Sequence, residues 1–191
     1  MPTNNMLNLP LSGTSGTVSF VGSTSPTLVT PTLGVASATS INFLASTAGT
    51  IGTTTNDNAA ALSVGQFVSS SVLVAGAINV PNGVYTTITS IALTPGDWDL
   101  AGTIIFNSGA ASTASSTLVA ISDTAGATQV PFGENTFSQT LSTMGASQTQ
   151  IMSANGSRYS LGANTTIYLL ANAFITGTMT AYGFISARRV R

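Results

Sequence analysis

Between Asp97 and Phe106 every second position is apolar or glycine: Trp98, Leu100, Gly102, Ile104 and Phe106. A period of two places these side chains on one face of a β-strand, and no helix gathers them on one side. The surrounding sequence repeats the message. Gln66–Val74 is rich in Val and Phe, and Val84–Leu93 is rich in Thr and Ile, with Ile88 and Ile91 as core candidates. Leu118–Ile121, Thr136–Leu141, Gln148–Met152 and Arg158–Leu161 read as further short strands. Two long strands follow, Thr165–Ile175 and Thr178–Val190, across a Thr176-Gly177 turn. Pro81-Asn82-Gly83, Thr94-Pro95-Gly96-Asp97 and Asn155-Gly156 carry turn chemistry. β-branched residues and glycines recur too often for a helix of more than a turn or two. Many short strands separated by turns predict an all-β chain, an antiparallel sandwich, jelly roll or small barrel.

The first part of the chain reads differently. Met1 to Asn56 contains no charged residue, and Gly, Ser, Thr and Pro dominate. Apolar clusters interrupt it at Val18/Phe20, Leu28/Val29 and Ile41/Phe43/Leu44. A flexible linker has no use for such clusters. The expectation is an extended arm or shaft over residues 1–62 that orders against partner chains. Phe20, Leu28, Val29 and Leu33 are its attachment residues, and Thr53–Ala61 is its hinge. The β-sandwich then occupies residues 63–191.

Charge sets the function classes. Asp, Glu, Lys and Arg make up 5% of the 191 residues, against about 25% in an average soluble domain. Ser, Thr, Asn and Gln fill the polar positions. So few charges give little protection against association, which favours surfaces buried in an assembly. The net charge is −1 and all four basic residues are arginines: Arg158, Arg188, Arg189 and Arg191. No basic stripe for nucleic acid exists. A solvated or carboxylate-paired chain end is expected for the last three. No stretch approaches the roughly 18 apolar residues of a membrane helix. Met1-Pro2-Thr3-Asn4-Asn5 has neither a positive charge nor an apolar core, so no secretion signal is expected.

Cysteine and histidine are both absent. Thiolate chemistry, disulfides, Ser-His-Asp catalysis and the commonest zinc ligand go with them. The carboxylates are Asp57, Asp97, Asp99, Asp123 and Glu134. Asp97 and Asp99 straddle Trp98, so a strand places them on one face about 7 Å apart. Two carboxyls at that spacing satisfy a glycosidase on paper. A turn-stabilising Asp97 and a paired Asp99 are the plainer reading. Asp123 beside Thr124 reads as an Asx turn rather than a calcium ligand. Asn155-Gly-Ser157 and Asn164-Thr-Thr166 match the glycosylation pattern and are expected to carry no modification. Trp98 with Tyr85 or Tyr159 is a candidate sugar platform, but Trp98 alternates with Leu100 and Ile104 and so reads as core. Phe132, Asn135 and Phe137 are candidate surface contacts. No cofactor, metal or catalytic residue is expected.

The two closing strands are apolar on both sides. Ile167, Leu169, Ala171 and Ala173 line one face of the first, and Tyr168, Leu170 and Phe174 the other. In the second, Met179, Ala181 and Ile185 oppose Tyr182 and Phe184. A strand with two apolar faces is covered on both. Without helices, the second cover is expected to be another subunit; the alternative is that these are the two central strands of a thick monomeric sandwich whose loops fold over them. Ile167, Tyr168, Leu169, Leu170, Phe174, Met179, Tyr182, Phe184 and Ile185 are thus the expected oligomer contacts, on a hairpin shared by three copies.

Two segments carry a resemblance. Leu93-Thr-Pro-Gly-Asp-Trp-Asp-Leu-Ala-Gly-Thr-Ile-Ile-Phe106 and the ending Met179-Thr-Ala-Tyr-Gly-Phe-Ile-Ser-Ala-Arg-Arg-Val-Arg191 resemble the C-terminal β domain of many phage and prophage virion proteins. There, an L-x-x-G-x-W-x-[LV]-x-G strand and a Y-G-x-I-x-A-R-R tail recur. Ser25–Ser37 is similar to a repeat-like element of tail-fibre proteins. The resemblance implies a trimeric jelly-roll knob in outline like those of the tumour-necrosis-factor type. It implies a tail or head fibre, with a capsid decoration protein as the alternative and a glycan-binding adhesin or depolymerase behind both. The implied partners are two further copies, other virion proteins of the tail, portal vertex or capsid, and a host-surface glycan or protein. The implied location is the virion, after synthesis in the host cytoplasm.

Overall fold

A computed structural model gives the structure of residues 57–126, 136–140 and 143–191. The expected attachment residues Phe20, Leu28, Val29 and Leu33 lie outside the described residues, as do Phe132 and Asn135. The described residues belong to one unit, Thr54–Arg191.

The alternating segments form nine strands among the described residues: β1 (Phe67–Val72), β2 (Ile78–Asn79), β3 (Thr86–Leu93), β4 (Gly96–Ser108), β5 (Thr113–Ser122), β6 (Thr136–Thr140), β7 (Thr149–Leu161), β8 (Thr165–Thr176) and β9 (Met179–Arg189). A single 3-10 turn, Val74–Gly76, is the only helical element among them. All strand pairs are antiparallel. One sheet runs β1-β9-β4-β7, with β2 also on β9, and the other runs β3-β8-β5-β6. β1 and β2 both pair with β9; from β2 onwards successive strands hop between the sheets, except β5 and β6, which are neighbours both in sequence and in a sheet. This is the strand order of a jelly roll, so the all-β sandwich expected from the sequence is what forms.

The core lies between the sheets. Trp98, Leu100, Ile104 and Phe106 of β4 face inward as their period requires, and all are buried. Met179, Ala181, Ile185 and Ala187 of β9 join them, with Met152, Ala154 and Tyr159 of β7. The other sheet supplies Ile88, Ile91, Leu93, Val119, Ile121, Ile167, Leu169, Ala171 and Ala173. Each fully buried large side chain stabilises the fold by roughly 1.5–3 kcal/mol. Gly102 and Gly183 show how close the strands pack. A Cβ on Gly102 would lie 2.6 Å from Leu169 Cδ1, reaching across from the opposite sheet. A Cβ on Gly183 would lie 2.2 Å from the Thr103 carbonyl oxygen of the adjoining strand.

Two sequence expectations are corrected. Asn155-Gly156 is not a turn, because β7 runs unbroken from Thr149 to Leu161. Leu100 pairs with Ser157 and Gly102 with Ala154, so β7 holds one extra residue there, a β-bulge. The bulge shifts the alternation by one, which lets Met152, Ala154 and Tyr159 all reach the core. The second correction concerns the closing hairpin. β8 pairs with β3 and β5, whereas β9 pairs with β1, β2 and β4. Thr176-Gly177-Thr178 is therefore a corner between sheets. It is pinned by Gly109 N–H donating to Thr178 O (2.9 Å) and Thr178 N–H donating to Ser112 Oγ (2.7 Å).

Candidate functional site

The outer face of the β1-β9-β4-β7 sheet follows from register. Cross-strand partners line up in rows: Asn107 with Thr149 and Thr180, then Ile105 with Ile151 and Tyr182. Next come Thr103 with Ser153 and Phe184, Phe184 with Ser71, and Ala101 with Ser186. The following row holds Asp99 with Arg158 and Arg188, and the last holds Asp97 with Ser160. All the charges on this face therefore sit in its last two rows and the adjoining chain end. From Ala101 to Asn107 the face carries hydroxyls, amides and apolar groups. Ile151 is 66% exposed and Phe184 is 42% exposed, with Ile105 and Tyr182 half-buried between them. The 3-10 turn with Leu73 and Val74, both exposed, leaves β1 at this same level, between the Val72–Gly183 and Ile78–Ala181 pairs.

The charged end is closed on itself. Asp97 Oδ2 accepts from Arg158 Nη2 at 2.8 Å and lies 2.9 Å from Arg191 Nη2. Its side chain is 4% exposed, although both arginines are mostly in solvent. Hydrogen bonds from Ser160 and Arg158 hold the Asp97 carboxyl below the ordinary carboxylate range; burial opposes this and the two positive charges add to it. Behind it, Arg189 is buried with its guanidinium over the Trp98 ring, 4.3 Å from the centre. Arg189 donates to Pro95 O (2.7 Å), Gln66 Oε1 (3.2 Å) and Thr94 Oγ1. Trp98 Nε1 donates to Thr94 O at 2.9 Å. The cluster ties the end of β9 to the β3–β4 turn and to the residue before β1.

The structure places each of the chemical candidates. Asp97 and Asp99 do share the outer face. A glycosidase acid needs a raised pKa, and Asp97 is shifted the other way. Trp98 and Tyr159 are core residues, so neither offers a face to a sugar. Tyr85 is half-buried beside Leu170 and Ala120, and burial pushes its phenol pKa up. Asp123 accepts from Thr124 Oγ1 at 3.0 Å, a local turn contact. No group of three potential metal ligands occurs among the described residues. No helix among them is long and apolar enough to cross a membrane. The three arginines expected to be solvated or carboxylate-paired divide: Arg191 pairs with Asp97, Arg188 is exposed and Arg189 is buried.

The nine expected oligomer contacts divide three ways. Ile167, Leu169, Met179 and Ile185 lie in the core of this same chain. Tyr168, Leu170 and Phe174 lie on the outer face of the β3-β8-β5-β6 sheet, where Leu170 is fully buried and Phe174 is 52% exposed. Tyr182 and Phe184 lie on the opposite outer face. One subunit contact along a shared hairpin cannot use all nine, because the corner sends the two strands into different sheets. Ile105 and Ile151 escaped the sequence reading. The signal was present: each interrupts the polar phase of an alternating strand, between Thr103 and Asn107 and between Thr149 and Ser153. No protein-family model matches the chain, and no curated protein is detectably similar to it.

Proposed function

We propose that this chain is a bacteriophage virion structural protein, a trimeric fibre of the tail or head that attaches through residues 1–62 and displays the jelly roll as a knob. The observation that carries the reading is the combination of a jelly-roll sandwich with an outer sheet face that carries no charge from Ala101 to Asn107 and its cross-strand partners. An isolated domain gains nothing from such a face and risks association, whereas an assembling subunit uses it. Jelly rolls serve viral shells and lectins alike, so the fold alone does not select the function. The Trp98 and Tyr182–Arg189 motifs supply the phage side of the argument. Their conspicuous residues, Trp98 and Arg189, serve the structural clasp, and the work of the domain is assembly and display. Three knobs on one fibre multiply a weak host contact.

The test is location. Particles from the bacterium that carries the gene are imaged with gold-labelled antibody raised against residues 63–191. Label on fibres supports the reading. Label spread evenly over the head, on particles that lose heat resistance without the protein, replaces it with a decoration protein. Absence from particles overturns it.

A further inference from the structure

We infer that the outer face of the β1-β9-β4-β7 sheet, centred on Ile105, Ile151, Tyr182 and Phe184, is where neighbouring copies of this chain meet. The inference rests on the reading of the chain as a self-assembling subunit. It names the surface, which the division of the expected contacts between core and two opposite faces left open.

Three observations choose a copy of the chain as occupant. The first is area. Four strands at about 4.8 Å spacing and about eleven residues of length give a face of about 700 Å². A stable protein interface takes about 800 Å² from each partner, so the face and the turn bearing Leu73 and Val74 together reach that size. The second is composition. Interface centres are depleted in charge and enriched in aromatic and apolar groups. Ile105, Ile151 and Tyr182 form a cross-strand row at the middle of the uncharged zone, with Phe184 in the next row. The third is charge. Copies of this zone converge without like-charge repulsion, and a strongly charged partner finds nothing here to pair with. Asp97, Asp99, Arg158 and Arg188 lie at the rim, where charges of an interface belong.

The test uses the full chain. Wild-type protein at micromolar concentration is expected to sediment as an assembly. Ile151→Asp, alone and with Phe184→Asp, is expected to weaken self-association by at least about 30-fold. Phe174→Asp, on the opposite outer face, leaves it unchanged. Trp98 fluorescence and thermal melts establish that each variant is folded. A second readout needs no charge reversal. The chain has no cysteine, so Ile151→Cys carries a unique thiol. That thiol is expected to resist maleimide when the protein is concentrated and to react on dilution, whereas Phe174→Cys reacts throughout. Wild-type protein that is monomeric at every concentration overturns both this inference and self-assembly. An assembly indifferent to Ile151 and Phe184, with the Ile151→Cys thiol open, overturns the face alone and leaves assembly to another surface.

Discussion

Arg189 Cζ sits 4.3 Å above the centre of the Trp98 ring, on a pair of residues directly opposed in the β4–β9 ladder. The arginine is buried with no Asp or Glu side chain paired to it among the described residues, and it also donates to Arg191 O at 3.4 Å. Its charge is offset instead by the ring's negative face and by the oxygens of Pro95, Thr94 and Gln66. Replacing it strands those acceptors. Arg189→Ala is expected to cost about 2–4 kcal/mol in urea unfolding. Arg189→Lys recovers only part of this, because an ammonium cannot reproduce the planar fork. A substitution cost below about 0.5 kcal/mol would show the cluster to be incidental.

Asp97 gives a pH signature. Its folded-state pKa is lowered, so its contribution is fully present above the unfolded value of about 4. The contribution is lost as pH falls through the folded value, where the folded protein takes up its proton. The stability advantage of wild type over Asp97→Asn is therefore expected to be greatest near neutral pH and to shrink below about pH 4. Added salt reduces the same advantage, since Arg158 and Arg191 are largely in solvent. Thermal melts of the two proteins across pH check both statements; a constant difference would contradict them.

Gly183 and Gly102 separate two kinds of close contact. A methyl group at Gly183 meets backbone, and β4 must move away from β9 to admit it. A methyl group at Gly102 meets the flexible end of Leu169. Gly183→Ala is expected to cost about 2–3 kcal/mol or more and Gly102→Ala about 1 kcal/mol. Equal costs in denaturant unfolding would refute the distinction.

The bulge in β7 is testable by deletion. Removing Asn155 restores regular pairing with β4 and reverses the facing of one end of the strand. Either Tyr159 or the Met152/Ala154 pair then leaves the core. The deletion is expected to cost more than about 3 kcal/mol. An unchanged melting temperature would mean that the extra residue is not what sets the facing.

Much of the fold was legible because alternation is local. The facing of Trp98 to Phe106, of Ile167 to Phe174 and of Met179 to Ile185 follows from the period of two, and the structure keeps it. The bulge was not legible, since Asn-Gly suits both a tight turn and an extra strand residue. What distinguishes them is whether β4 continues alongside, which is a matter of partners far away in sequence. The candidate face was half legible. Tyr182 and Phe184 stood out on β9, but Ile105 and Ile151 became a row with Tyr182 only once register aligned three strands.

The sequence by itself determined that this chain is β throughout its described part, that it has no histidine or cysteine chemistry, and that its strands have apolar sides to bury. It read the two closing strands as doubly apolar and expected another subunit over the second side. Tertiary structure decided where the sides of the two strands point. The corner at Thr176-Gly177 sends β8 and β9 into different sheets, so their inner sides bury each other's sheets and their outer sides point in opposite directions. Alternation fixes which side chains share a face of one strand. Only the pairing of strands distant in sequence fixes which faces meet, because that choice is made by packing two whole sheets around one core.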